Sequence, residues 1–222
     1  MYDQLSVIDV INIHLYETAM TLSAAFRNAM FGFVGKVATS QSFPISAATR
    51  SKLLLFAWGK FQIRMIGIMN PELLSLTEER IEIKVPLTTV TTTGLDSMFM
   101  GALSSGFDLA GGFLIFERAM KASVGMVFKD ASIRFLRRAD GDVHFVCSDG
   151  RRLHEAIDEC NKYPEKRVNV PIEVRAYVQI SSRSPNIGGK IGEQNRDKGG
   201  NIDEPVAVAN MTLSMKKRGK LE

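Results

Sequence analysis

The residue whose setting most invites chemistry is Asp108, an acid inside the apolar run Met98–Phe116. Burial penalises the charged form of a carboxylate, so its pKa rises. A raised pKa suits a general base working near neutral pH. Upstream, Met100-Gly101 marks a helix start whose unpaired N–H groups can face developing negative charge. Ser104 and Ser105 lie about one helical turn before Asp108 and can line a pocket beside it. Other constellations are weaker. Ala102-Leu103-Ser104-Ser105-Gly106 has the outline of a nucleophile elbow, but that motif needs a strand before its serine, and here it falls inside a helix. His14, His144 and His154 stand far apart and form no ligand motif, so no metal site is expected. Cys147 and Cys160 have neither metal spacing nor a disulfide pattern and read as two reduced thiols. Gly188-Gly189 and Gly199-Gly200 lack the spacing of a P-loop or a dinucleotide fingerprint.

The element that must position Asp108 is the stretch Thr93–Lys121, read as one long helix. It is apolar on nearly every side, which marks a buried helix. Its small residues, among them Gly101, Ala102, Gly106, Ala110, Gly111 and Gly112, are costly in an exposed helix and make sense where other backbone approaches closely. Before it, residues 3–38 carry apolar positions near 3.6 spacing, and Ser46 can cap a helix over 47–59. Lys60 to Met69 reads as extended, and Asn70-Pro71 as a turn. From Glu79 polar and apolar residues alternate through Val85, a strand with one wet face. After the long helix come strands at Met126–Leu136, Val143–Cys147, Arg167–Ile180 and Val206–Met215, with a short helix at Arg151–Lys162. On the first of these, Val127, Ala131, Ile133 and Phe135 form the apolar face. Ser181–Glu204 shows no periodicity and reads as a hairpin loop. Strands that follow one another favour an antiparallel sheet.

Composition narrows the class. The chain has 222 residues, 45% hydrophobic and 23% charged, within the ordinary range of a globular protein. The formal charge of +4 is modest, and Lys216, Lys217, Arg218 and Lys220 read as a solvated tail, so nucleic-acid binding is not expected. The N-terminus has no basic region ahead of its apolar residues, so no secretory signal is expected. The two reduced thiols give the expectation of a cytoplasmic location. Met98–Phe116 is long enough to suggest a membrane span. Asp108 at its centre argues against one, because an acid there costs about 2.5–3.5 kcal/mol on insertion scales.

The element order, the seven-residue spacing from Gly101 to Asp108 and the block Lys129-Asp130-Ala131-Ser132-Ile133-Arg134-Phe135-Leu136-Arg137 resemble the hotdog-fold thioesterases of the PaaI-like type. More closely, they resemble a related family of thioesterase-like domains whose function is not settled. The resemblance covers roughly residues 50–218. It departs at one point: the family's His-Gly-Gly reads Phe99-Met100-Gly101 here, so its His is absent. Thr93 stands where the family has a polar Asn.

The resemblance implies an α+β hotdog fold. In it a curled antiparallel sheet of about five to six strands wraps a long central helix. A helical extension over 1–45 would precede a hotdog domain over 46–222. It implies hydrolysis of acyl-coenzyme A or acyl-carrier thioesters, with Asp108 as general base or nucleophile and Gly101 at the oxyanion. Thr93, Met98, Phe99, Met100, Ser104 and Ser105 would line the acyl slot. Arg134 and Arg137, with Arg138, would meet coenzyme A phosphates. No cofactor is implied. The family's site lies between subunits, so the expected partner is a second copy, as a homodimer or dimer of dimers. The alternative left open by the missing His is a non-catalytic acyl-binding or dimerisation module. Residues 1–45 are expected to pack on the domain or its partner, with a membrane-docking or lid role as the alternative.

Overall fold

The computed structural model describes residues 24–39, 46–178 and 204–218. The first half of the expected N-terminal helix and nearly all of the expected loop over 181–204 lie outside them. The chain divides into two compact units, Met1–Leu73 and Leu74–Glu222.

In the first unit, α1 (Ala24–Thr39) is the later part of the expected helix. Helix α2 (Ala47–Ala57) begins where its cap predicts. The Ser46 hydroxyl accepts from the Thr49 N–H at 3.1 Å, pairing one amide that a helix start leaves open. The backbone then widens into a π-turn over Trp58–Gln62 and resumes as α3 (Arg64–Met69). Lys60–Met69 is therefore helical, not extended. A Cβ on Gly67 would lie 2.5 Å from the Gly59 carbonyl oxygen, so two backbone segments touch there. That packing overrides the strand preference of Ile63, Ile66 and Ile68. Asn70 takes a left-handed φ of 51° before Pro71, the turn the sequence predicts.

The second unit is built on a six-stranded sheet. Strands β1 (Glu72–Leu76) and β2 (Ile81–Val85) flank a turn closed by the Thr77 N–H to the Arg80 carbonyl at 2.8 Å. Next come α4 (Met100–Phe113), α5 (Phe116–Lys121), β3 (Val124–Phe135), β4 (Val143–Cys147), α6 (Gly150–Lys162), β5 (Val168–Val178) and β6 (Ala207–Lys217). The strand order is β1-β2-β4-β5-β6-β3. The pairs β2/β4, β4/β5, β5/β6 and β6/β3 are all antiparallel. This is the expected curled sheet around a helix, with β1 as a strand the sequence did not reveal.

Register aligns the buried face. Ile83 stands opposite Phe145, Phe145 opposite Ala176, and Ala176 opposite Ala207, all buried. Strand β3 departs from the simple alternation. Its pairing with β6 jumps from Phe128 to Asp130, leaving Lys129 as an extra residue. A bulge of this kind reverses which side chains face inward. Phe128 consequently reaches Gly111 at the helix, while Val127, expected on the apolar face, is 58% exposed. In α6 the buried residues Leu153, Ala156, Ile157 and Cys160 follow helical spacing, and the helix packs on β5 and β6.

The central helix is shorter than expected. Thr93–Phe99 is a loop rather than a first helical turn. Its hydroxyls hold the backbone themselves: Thr91 Oγ1 donates to the Pro86 carbonyl (2.7 Å), and Thr93 Oγ1 accepts from the Leu95 N–H (3.2 Å). Such local bonds compete with helix formation. The helix also breaks at Ile115, whose backbone leaves helical geometry. Phe113 and Phe116 stack across the break with ring centroids 5.7 Å apart.

Close approach explains the small residues. A Cβ on Gly106 would lie 2.2 Å from the Phe145 ring, and one on Gly111 would lie 2.8 Å from Ile172 Cδ1. Gly112 has room, since its nearest neighbour would be Phe128 at 3.9 Å. Gly106→Ala is therefore expected to destabilise by about 1–3 kcal/mol through overpacking. Gly112→Ala should be neutral or stabilising by up to about 1 kcal/mol through helix propensity. Urea unfolding of both variants checks the contrast, and equal effects would contradict the packing account.

Candidate active site

Helix α4 starts abruptly. Phe99, the residue before it, provides no side-chain cap. Two backbone bonds anchor the entry: the Met98 N–H donates to the Ala139 carbonyl (2.8 Å) and the Phe99 N–H to the Thr91 carbonyl (3.0 Å). The amides of the first turn have no acceptor within a helix, so those at Met100 and Gly101 project from its positive end. Met100 is 66% exposed, and Met98 is buried. The Phe99 ring folds over Gly101, where a Cβ would meet Phe99 Cε2 at 2.3 Å. Glycine is thus what lets this aromatic ring lie against the helix start.

Asp108 lies two turns further on and is half-buried. Among the described residues its carboxylate has no hydrogen-bond or ion-pair partner. Burial pushes its pKa above the usual carboxylate range. Seven residues of α-helix return to nearly the same face but advance about 10 Å. Within one chain, then, Asp108 and the Gly101 amide share a face without reaching a common reacting atom. Ser104 is half-buried on the same helix. Ser105 is already engaged, its Oγ donating to the Gly101 carbonyl at 2.9 Å. Thr93 is in the loop before the helix, its hydroxyl paired with Ser97 Oγ at 3.2 Å.

Arg134 lies near the end of β3, and Arg137 and Arg138 just beyond it, all exposed. The bond from Met98 to Ala139 draws Arg138 and Ala139 to the helix start. Arg137 is tied down, donating to the Glu204 carbonyl, whereas the Arg134 guanidinium has no partner among the described residues.

Two features escaped the sequence reading. His144 is buried, and its Nδ1 is 3.0 Å from Glu82 Oε1. Burial raises the Glu82 carboxyl, but the hydrogen bonds and charges of His144 and Arg80 outweigh this and hold it low. The two residues are 62 positions apart and meet only through the β2/β4 register. The second is a cleft of about 320 Å³ between the start of β3 and the end of β6, lined by Arg167, Lys216, Lys217 and Arg218. Cys147 and Cys160 are both free and buried, and burial pushes the Cys147 thiol up to about 11. Among the described residues no three metal-ligating side chains cluster, and no helix is long and apolar enough to cross a membrane.

No protein-family model matches the sequence, and no curated protein matches it. Solved structures do match. A protein of unknown function from Pseudomonas aeruginosa, described as a probable thioesterase, superposes with a TM-score of 0.57 at 18% identity, over 79% of this chain and 99% of that one. A protein of unknown function from Chlorobaculum tepidum gives 0.58 at 13%, over 77% and 97%. A candidate thioesterase from Shewanella oneidensis gives 0.53 at 14%, over 76% and 96%. At these identities the likeness establishes the fold, which is the hotdog fold.

Asp108, which has no partner among the described residues, makes stability pH-dependent. Its folded pKa lies above its unfolded value, so between the two the native state holds a proton that the unfolded chain releases. Stability therefore falls as pH rises through that window and levels off above it. Asp108→Asn removes the fall. The variant should be more stable than the parent at neutral pH, and the gap should close below the ordinary aspartate pKa. Urea midpoints across a pH series read this directly. A gap independent of pH would contradict a buried, unpaired acid.

Proposed function

We propose that this chain is an acyl-thioester hydrolase of the hotdog fold, acting on coenzyme A or carrier-protein thioesters with Asp108 as general base. The observation that carries the reading is the half-buried carboxylate on the helix the sheet encloses, which has no partner among the described residues. Leaving an acid there costs stability, and unpaired, perturbed carboxylates are concentrated at functional sites. The fold shared with a structure described as a probable thioesterase supports the same reading.

In this scheme Asp108 takes a proton from water while the water oxygen adds to the thioester carbonyl. Amides at the start of α4 stabilise the oxyanion. The C–S bond then breaks, and the departing thiolate takes the proton. A carboxylate can instead attack the carbonyl directly, with the resulting anhydride hydrolysed afterwards. Met98, Phe99, Met100 and Ser104 would border the acyl chain, and Arg134 would serve as a charge partner for the carrier. The separation of about 10 Å between Gly101 and Asp108 along one helix calls for a second copy, so that one chain supplies the base and the other the amide. Strand β3, on the sheet edge with Val127 and Phe135 exposed, is the surface proposed to meet that copy.

An acyl-coenzyme A panel tests the activity. The full chain should hydrolyse at least one member, and Asp108→Ala should lower kcat/KM by at least about 100-fold. Unchanged hydrolysis in the variant would remove Asp108 as the base. No hydrolysis, with an acyl ligand retained in native mass spectrometry, would support the binding-module alternative instead.

The shared site has its own test. Asp108→Ala and Gly101→Val are each expected to be inactive. Unfolded and refolded together, they should recover about a quarter of parental activity, because half the dimers are mixed and each mixed dimer has one intact site. No recovery, with both variants folded and dimeric, would place the whole site in one chain.

A further inference from the structure

The basic cleft at the far end of β3 has no role in the scheme above. Its floor is Gly125, Met126 and Val127, and its cations come from two places in the sequence: Arg167 just before β5, and Lys216, Lys217 and Arg218 at the end of β6. Pairing of β3 with β6 brings these together, since Val124 stands opposite Lys217 and Gly125 opposite Lys216.

The charge in this cleft is poorly neutralised. Arg167 donates to Ser214 Oγ at 3.2 Å, a neutral acceptor. Lys217 Nζ donates to the Ala122 carbonyl (2.6 Å) and Asn161 Oδ1 (2.7 Å), again neutral. Arg218 is held by its backbone, its N–H donating to the Ser123 carbonyl at 2.8 Å. Its guanidinium packs over Gly125, where a Cβ would lie 2.9 Å from Nε, and it has no hydrogen-bond or ion-pair partner among the described residues. Among the described residues only Lys216 of the four faces an acid, the fully exposed Glu165, at 3.8 Å. Lys217, one step along the strand from Lys216, turns its ammonium to the other face. The remaining three cations meet a single distant carboxylate among the described residues and repel one another unless an anion joins them. Two of the four are arginines, whose planar donors match phosphate oxygens. The volume is at the small end of ligand pockets, suited to a phosphate group rather than to a whole cofactor.

We propose that this cleft binds the phosphate groups of the thioester's carrier. The proposal rests on the thioester reading and narrows its substrate class to phosphate-bearing carriers of the coenzyme A kind. Position agrees with it. Should two copies pair antiparallel along β3, the Gly125 end of one strand would run towards the Phe135 end of the other, and so towards the helix start of the second copy. The cleft of one chain would then flank the acyl site of the pair.

Isothermal titration of the full chain with coenzyme A tests the proposal without requiring turnover. Binding should weaken with added salt. Arg218→Glu, which breaks no side-chain bond, should weaken it at least tenfold, and Arg167→Ala should do likewise, while Arg167→Lys should retain part of it. Pantetheine, which has no phosphate, should bind at least tenfold more weakly. Competition by adenosine 3′,5′-bisphosphate would assign the cleft to the nucleotide end, and competition by pyrophosphate alone would assign it to the diphosphate. Equal affinity in the parent and Arg218→Glu, equal affinity for pantetheine, or no binding of coenzyme A would each overturn the proposal. Hydrolysis of an N-acetylcysteamine thioester, which carries no phosphate, tests Asp108 separately. Loss of that activity alone would leave the cleft standing, and retention of it without coenzyme A binding would refute only the cleft.

Discussion

The contact between α4 and the inner face of the sheet is the constraint on which the second unit depends. Gly106 has no side chain, so the Phe145 ring can sit where a Cβ would be. The same ring meets Phe107 edge-on, with centroids 5.1 Å apart and planes at 87°, a favoured geometry for aromatic pairs. One strand residue thus packs on two successive helix residues. Further along, Gly111 admits Ile172 and Met211, which stand opposite each other on β5 and β6. Phe128 of β3 reaches Gly111 as well, so the helix is fixed to four strands by what its glycines omit. Packing this tight tolerates little displacement, so the next residue after Phe107 inherits a defined place.

That residue is Asp108, and its position runs against the stability of the fold. A carboxyl group removed from water without a partner is unfavourable in its charged form. Its neighbours Phe107, Leu109 and Ala110 are buried hydrocarbon, and no packing contact among the described residues requires an acid there. Sites that must act on a substrate are commonly held in such an unfavourable state by surroundings that are stable for other reasons. Here the stabilising surroundings are the Phe145 contact and the antiparallel ladder behind it. The catalytic candidate and the packing anchor are therefore neighbours in sequence with opposite energetic signs.

Much of this was legible in the residues. Alternation in β2 and β5 reported strands because one face of each is buried. Ser46 reported a helix start because its hydroxyl caps it. The small residues of α4 reported close approach. What stayed hidden was set by contacts between distant residues. The π-turn after α2 depends on Gly59 meeting Gly67, and the bulge at Lys129 depends on the register with β6. Loop hydroxyls decided that Thr93–Phe99 would not join the helix, a local competition that apolar periodicity does not register. The cleft was hidden for a similar reason. Arg167 lies 49 residues before Lys216 in the chain, and the latter read as part of a solvated tail.

The distribution of cations follows from the same ladder. Strand β3 spans 12 residues with arginines near and beyond its C-terminal end, while its start is flanked by the basic end of β6. At about 3.3 Å per residue the two groups stand roughly 35 Å apart on one chain, too far to hold one phosphate together. The helix repeats the pattern, since its amides and its acid are separated along one axis. Each half of a site thus lies apart from its complement within a single chain. An antiparallel two-fold pairing converts such separation into proximity, because it sets each end of one strand against the opposite end of the other. A single operation would unite base with amide and cleft with helix start, and that economy is the strongest physical reason to treat the functional unit as a pair of chains.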